Sequence, residues 1–565
     1  MFVRTPLQAK LFPCDNKYND REIFDLKHSW AEIIKARILP YLGNLEQEFA
    51  RFFHSRMGRP IKYISLLIVV HIFKDLYDWT DEELLEHVKF DKRFEYAFDL
   101  PYNELVLSQK TLHNFRTLLN NEKMVQTVFD RATKYIADIF NIDVSEQRLD
   151  STHIVSNMAR LSRLGLFVRV IENLLNKLKK IDPAAYDVLP SRFSERYDRR
   201  RGYFADARSK KTKARLGEAA NDMYYLLDRF KEHDELAAMK VYEHVQRVFD
   251  EHCSVRQTTD NTEITVEEKS VDTPSTDDTP AAVTVKEPKD MPSGTLQNPS
   301  DEDVTCGHKG AGYEATLTET CNPNNPFQII TDVSTDTSNV SDQHKTVPTM
   351  DRLEAKGMKP KTAFGDGGFT SGDNIVECRA RGIDLQGNLV GAYKEPNRLK
   401  LADFQFAEDG VTMTACPAGH KPISQRLENS RKAKKKSQQN FIVHYEKETC
   451  AKCKLAGDCP VNMQKKKAVI RFSPAQLASS TRRREQETKD FKERNNIRAG
   501  IEATNSEMKT TQGLEKLRVR GQPRVNQTVM FKALACNVKR MVKYALMELK
   551  KAETAKIEGN MAFSA

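Results

Sequence analysis

The chain has 565 residues, with 89 Lys and Arg against 79 Asp and Glu, a formal net charge of +10, 39% hydrophobic and 30% charged residues. That length suits about three or four domains, and the balance suits a soluble protein with sizeable cores. The longest uncharged apolar run near the N-terminus, Tyr63–Phe73, is too short for a bilayer, and acidic residues interrupt any signal-peptide pattern, so a cytoplasmic chain with no membrane partner is expected. Ten scattered cysteines exclude a disulfide scaffold, and a local cysteine cluster in a reducing compartment more often means metal. The basic excess is uneven. Short basic runs (Arg431–Lys436, Lys465–Lys467, Arg482–Arg484) crowd the last third and suit a polyanion partner.

Residues 1–140 read as an N-terminal helical region. Trp30, Ile33, Ile34, Ile38, Leu42 and Leu45 give residues 26–57 a helical period, broken by Gly58-Arg59-Pro60. Ile61–Trp79 follows as a strongly apolar helix, and Thr80 with Glu83 opens the next as a capping box. A further helix starts at Ser108 and carries His113, Phe115 and Arg116. Short helices with tight connections suit a helix-turn-helix DNA-binding unit and a plain bundle equally.

After a helix over 122–140 the period changes. Arg148–Val155 alternates and is β-branched, which predicts a strand holding Asp150. Asp is depleted in strands and costly when buried unpaired, so Asp150 is either a working carboxylate or an edge residue facing water. Residues 157–254 read as a helical insertion. Residues 255–292, rich in Thr, Asp, Glu, Pro and Val without aromatics, read as a disordered linker. Strands at Gly312–Thr318 and Phe327–Val333 flank an Asn322–Pro326 turn, a hairpin pattern. A helix over 343–357 precedes a short strand that ends in Asp366 at a glycine turn. That is a common seat for a functional carboxylate and also an ordinary Asp-Gly turn. A helix over 371–382 and a strand Asp384–Val390 follow. Residues 391–473 form a polar, basic insertion, and helices over 474–510 and 525–552 end the chain.

Within Asn495–Lys509 the spacing of Arg498, Glu502 and Lys509 brings all three to one helix face, with Gly500 as the weak point. Such a stripe is either i,i+4 pairing on a solvated face or a carboxylate flanked by cations for phosphates. Asp150, Asp366 and Glu502 are three carboxylates from separate elements, as a divalent-cation site needs. Among 79 acids, this permits the triad without singling it out. In Cys416-x33-Cys450-x2-Cys453-x5-Cys459 the tight pair has zinc spacing, while the other two lack a second tight pair. His420 and His444 are alternative ligands, and reduced, non-ligating thiols are the other reading.

Three motifs in order carry a resemblance: Leu149-Asp150-Ser151-Thr152, Asp366-Gly367-Gly368-Phe369, and Arg498-x3-Glu502-x6-Lys509. With the cysteine insertion between the second and third, the chain resembles DDE-type transposases of bacterial insertion sequences. It departs from their pattern at Asn495, where a Tyr is usual. The similarity covers most of 50–170 and 295–545. It implies an α/β, RNase H-like core built from 141–156, 293–390 and 474–552, behind an N-terminal helical domain. It implies two Mg (or Mn) ions on Asp150, Asp366 and Glu502, with Arg498 and Lys509 binding DNA phosphates and Cys416, Cys450, Cys453 and Cys459 as a possible zinc set. Implied partners are DNA (the element's terminal inverted repeats and target) and a second copy in a homodimer at the nucleoid. The implied activity is metal-dependent cleavage at element ends and strand transfer. A metal-dependent nuclease without strand transfer and a non-catalytic DNA-binding derivative are the alternatives.

Overall fold

The computed structural model describes residues 17–53, 63–100, 106–121, 123–204, 211–256, 282–391, 399–428 and 435–563. The expected break at 58–60 and residues 431–434 of one basic run lie outside these. Among the described residues no helix is long and apolar enough to cross a membrane.

The apolar N-terminal helix is α1, Ile64–Leu76. All ten residues from Ile64 to Phe73 are buried, as expected of a helix that is hydrophobic all round. The capping box after it forms as read: Glu83 N–H donates to Thr80 Oγ1 and Thr80 N–H to Glu83 Oε2. The single helix expected over 26–57 is broken instead. Ser29 caps a new start at Trp30, and a π turn over Ile34–Ile38 leads into Leu39–Phe49. Pro40 has no N–H for the carbonyl four residues back, so a regular α-ladder cannot run through it. Two more helices complete the region, α2 (Gln109–Asn121) and α3 (Met124–Ile139).

The central sheet begins with β1, Glu146–Ile154. β2 (Gly310–Thr320) pairs antiparallel with it, and β3 (Ile330–Thr337) antiparallel with β2. β4 (Thr362–Phe364) lies parallel to β1 on its other side, and β5 (Asp384–Gln386) parallel to β4. The order is therefore β3-β2-β1-β4-β5, and a three-residue strand, Thr305–Gly307, pairs with the start of β2. The β2–β3 hairpin turns at the expected asparagines: Asn322 Oδ1 accepts from Asn324 N–H, and Asn325 N–H donates to Asn322 O. Residues 312–320 of β2 are all buried, and successive side chains of a strand point to opposite faces, so both faces are covered.

Helices α4 (Thr346–Ala355) and α5 (Gly372–Ala380) follow β3 and β4. α6 (Pro474–Glu485) packs on α5, and its buried Arg482 donates to Leu385 O of β5. The helix expected over 474–510 is not continuous. Thr488 caps Lys489–Asn495, a 3-10 turn spans Asn496–Ala499, and α7 runs over Gly500–Thr511. The last helix, α8, extends over Gln522–Phe563 and packs on β3, α1 and α3. One continuous apolar core consequently joins the N-terminal helices to the sheet.

The two insertions keep separate cores. Arg163–Ile181, Thr212–Phe230 and Lys240–His252 pack as a helical unit. The linker reading of 255–292 needs correction at its ends. Cys253–Arg256 pairs antiparallel with Ala282–Val285, and Pro288–Asp290 forms a 3-10 turn. Only 257–281 lies outside the described residues. The cysteine insertion carries a four-stranded antiparallel sheet, Ser424–Leu427, Phe441–Tyr445, Ala468–Phe472 and Asn462–Met463 in spatial order, over its own core.

Candidate active site

Register places the two aspartates. β1 and β4 are parallel, with Arg148 opposite Phe364. Continued by two residues, this puts Asp150 opposite Asp366, just past the end of β4. Two is the period of the strand, so the two positions share a face of neighbouring chains whose backbones ordinarily lie about 4.8 Å apart, and the two carboxyl groups are close enough for Asp366 to raise Asp150. Asp366 Oδ1 accepts from the N–H groups of Gly368 (2.8 Å) and Phe369 (3.3 Å), which fixes its turn. A Cβ on Gly368 would come 3.0 Å from that oxygen and 3.2 Å from Asp342 Oδ2, so the turn admits little beyond glycine. Burial pushes the Asp150 carboxyl up to about 6, and the Asp366 carboxylate beside it adds to the rise, against pulls from Arg498 and Lys309.

Helix α7 lies against β1. Its buried stripe is Ile501, Thr504, Asn505 and Met508, spaced i, i+3, i+4 and i+7. Asn505 reaches the site: its Nδ2–H donates to Asp150 Oδ2 at 2.9 Å, while its buried Oδ1 has no partner. Glu502 lies about 60° round the helix from Asn505, at the rim of that stripe. Its side chain is 64% exposed and sits 3.5 Å from Arg498 Nη2. Asp150 and Asp366 are thus brought together with the Glu502-bearing helix beside them, and the Glu502 carboxylate itself faces Arg498 and solvent. Among the described residues no three His, Cys, Asp or Glu gather closely enough to hold a metal ion. The donors at hand are all oxygens: two adjacent carboxylates, a third at the rim and an unpartnered amide oxygen. That chemistry fits a hard cation.

A fully buried carboxylate holds α7 in place. Glu319 on β2 accepts at Oε2 from Arg148 Nε and Nη2 (2.8 and 2.6 Å), and at Oε1 from Thr504 Oγ1 and Arg540 Nη1 (2.6 and 2.5 Å). Arg148 Nη1 also donates to Ile497 O, immediately before α7. Gly500 makes room for this guanidinium, since a Cβ there would lie 1.9 Å from Arg148 Nη1. What the sequence presents as the weak point of the helix is its point of closest contact with the sheet.

Residues 415–542 match the family model described as Transposase DDE domain, and residues 21–118 match the one described as Transposase domain (DUF772). In both spans the chain is similar to DDE-type transposases. No curated protein and no solved structure matches it. The first matched span contains the cysteine cluster, α6, α7 and Glu502, and the second covers the N-terminal helices. Neither contains Asp150 or Asp366, which the sheet alone brings together.

Three further residues crowd the pair. Ser151 Oγ donates to Asp342 Oδ2 at 3.0 Å, and Lys309 Nζ donates to Ser151 O and Oγ at 3.3 Å. Lys345 pairs with Asp342 and with buried Glu314 at 2.8 and 2.6 Å. Asp342 and Lys309 lie in connecting turns that carry no sequence pattern. Asn505 was accessible, because it sits three residues from Glu502 on the same helix. His153, next in alternation after Ser151, packs its ring against Gly312 and places Nδ1 3.4 Å from Ser338 Oγ.

Cys416, Cys450, Cys453 and Cys459 are all free thiols of intermediate burial. They share one neighbourhood: the Cys450 thiol is raised by burial first, then by Cys459, Cys416 and Cys453. They do not close into a metal-holding group, so the zinc expectation finds no support in this arrangement. Of the alternative ligands, His444 faces Ser424 Oγ at 3.0 Å, and His420 meets Cys416 through its backbone.

Two predictions follow from these contacts. A carboxyl raised when folded stabilises below its ordinary range, and that contribution is lost as pH rises toward about 6. Without divalent cations, Asp150→Asn should therefore gain on the order of 2–3 kcal/mol at pH 7.5 and nothing near pH 4. Urea unfolding at both pH values checks this, and equal midpoints at pH 7.5 reject it. Gly500→Ala should cost about 1–3 kcal/mol by overpacking the Arg148 contact, although Ala is the better helix former. A stabilised variant in the same unfolding experiment would contradict that packing.

Proposed function

We propose that this transposase cuts DNA at insertion-sequence ends and joins the freed ends to target DNA, using an RNase H-like core. The observation that carries the reading is the pairing of Asp150, in the middle of β1, with Asp366, just past the end of the parallel neighbouring strand, with Glu502 on the helix packed beside β1. The sheet order β3-β2-β1-β4-β5, with three antiparallel strands followed by two parallel ones, supports the RNase H-like assignment.

Asp150, Asp366 and Glu502 would hold two Mg (or Mn) ions. When bound, such ions supply an activated water and charge stabilisation for an in-line displacement at phosphorus. The protein's own part is positional. Asn505 orients Asp150, and the Gly368 and Phe369 amides fix Asp366. Arg498, tied to Glu502 at 3.5 Å, becomes available to DNA phosphate once Glu502 turns to the aspartates, and Lys509 extends the same stripe. Its partners are the element ends and target DNA, with two copies of the chain holding two ends.

The test uses Mg²⁺, labelled element ends and a target plasmid. Joined products support transposition, nicks alone indicate a nuclease, and a gel shift without cleavage indicates a DNA-binding derivative. Glu502→Gln should leave folding and DNA binding intact and lower cleavage by more than the roughly 100-fold cost of losing an outer-shell partner. Undiminished cleavage would return Glu502 to an ordinary surface pair with Arg498.

A further inference from the structure

A groove of about 460 Å³ separates α2 from the start of α8 and the segment that leads into it. One wall is a single face of α2, on which His113, Arg116 and Asn120 recur at helical spacing. The other holds Arg520, Arg524 and Gln527. Among the described residues no carboxylate lines it; Asp301 and Asp303 meet this segment through the Gly521 and Gln522 N–H groups.

The leading segment is extended and borders the end of β1. Val155 N–H donates to Glu515 O, Leu517 N–H to Val155 O, and Asn157 N–H to Val519 O. Leu517 is buried and Val519 half-buried, while Arg518 and Arg520 between and beyond them are exposed. Continuing to exposed Arg524, they form a basic edge that follows α7 and its Lys509 in the chain.

A neighbouring cavity shows what a purely structural cluster looks like here. It also holds several cations, but each has an acid: Arg116 pairs with Asp81 (2.6 Å), Lys532 with Asp78 (2.9 Å) and Arg518 with Asp78 (3.1 Å). Arg520 and Arg524 have no such match among the described residues; Arg520 donates only to the Asn157 carbonyl. Gln527 adds an independent sign. It is 4% exposed and its Oε1 accepts from Asn120, yet its buried Nε2–H donor has no partner. The buried donor is costly to leave unsatisfied, and the exposed guanidinium groups near it, with no acid to neutralise them, suit an occupant with anionic acceptor oxygens.

We propose that this groove binds the sugar–phosphate backbone of duplex DNA, beside and apart from the Asp150–Asp366 pair. The inference rests on the reading of the chain as a DNA-acting transposase. Phosphate contacts set the position and register of a protein on a duplex, which is the role this surface has. Seven residues of extended chain run from Asp150 to Asn157, at most roughly 23 Å. The Asn157 end of the groove, where Arg520 donates, therefore lies within a length of about seven base pairs of Asp150.

The test measures fluorescence anisotropy of a labelled 30-base-pair duplex with the full chain, without divalent cations, from 50 to 300 mM salt. Arg520→Glu with Arg524→Glu should weaken binding at least tenfold and make the log–log salt slope shallower by about two. Arg520→Lys with Arg524→Lys should bind almost as wild type does, and Lys550→Glu with Lys551→Glu, an equal charge change far along α8, should leave affinity within twofold. If the double reversal fails to fold by thermal melt, exposed Arg524→Gln carries the test, with a loss of about threefold and a slope shallower by about one. Unchanged affinity and slope in the groove variants, while wild type binds and cleaves, overturns the groove and leaves the transposase reading standing. A wild-type chain that binds no duplex at 50 mM salt removes both. A matched RNA duplex bound more tightly than DNA overturns the proposal in favour of a different polyanion.

Discussion

The Glu319 carboxylate is the interaction on which the site's geometry depends. It is fully buried, and an isolated charge there would be prohibitive. Two guanidinium groups and a hydroxyl meet it from three different elements: Arg148 from β1, Arg540 from α8 and Thr504 from α7. Each partner is tied elsewhere too, Arg148 to the Ile497 carbonyl and Arg540 to Thr504. Such a network is worth little against a hydrophobic replacement, but removing one member costs several kcal/mol because the rest is left buried and uncompensated. Its effect is to fix α7 against β1 in one register, and that register brings Asn505 to Asp150.

With α7 fixed, the strain of the site falls on the aspartates. Parallel pairing with a strand only three residues long brings Asp366, just past that strand, beside Asp150, which itself pairs with Leu317 of β2. The pair is then held as like charges in a half-buried place, and the raised Asp150 is the measure of that cost. In the proposed reading, a cation bound beside the pair would recover that stability. Lys309 and Arg498 soften the repulsion without cancelling it, and each has a second partner, Ser151 and Glu502 respectively.

Local signals were legible in the sequence where they were decisive on their own. The Thr80 box, the asparagine turn of the hairpin and the alternation around Asp150 each report a structure made by neighbours in the chain. Breaks inside helical runs were not legible. Thr488 lies inside the expected helix over 474–510 and acts as a cap because the chain turns there, whereas the start of that helix at Pro474, capped by Ser473, is where the sequence puts it. The strands of the cysteine insertion are two to five residues long and mostly exposed on one side, too short for a period to emerge. Averaging over 255–292 hid the Val-rich strand Ala282–Val285 inside a polar stretch. At the site, the stripe of Arg498, Glu502 and Lys509 was visible as spacing. That it forms the rim of the buried face depends on Ile501, Thr504 and Met508 meeting β1, a tertiary fact.

Helix α8 connects these levels. Its first turns line the groove through Arg524 and Gln527, its middle supplies Arg540 to Glu319, and its apolar side packs on α1 and α3. The groove, the aspartate pair and the N-terminal helices therefore share one core, and moving any of them against the others would break a buried ion pair or open apolar packing. The helical and cysteine insertions have cores of their own, joined to the rest by polar contacts such as Asn298 Nδ2–H to the Ala159 carbonyl and Gln438 Nε2–H to Asp373. A duplex lying in the groove would accordingly meet the aspartates at a distance set by the fold.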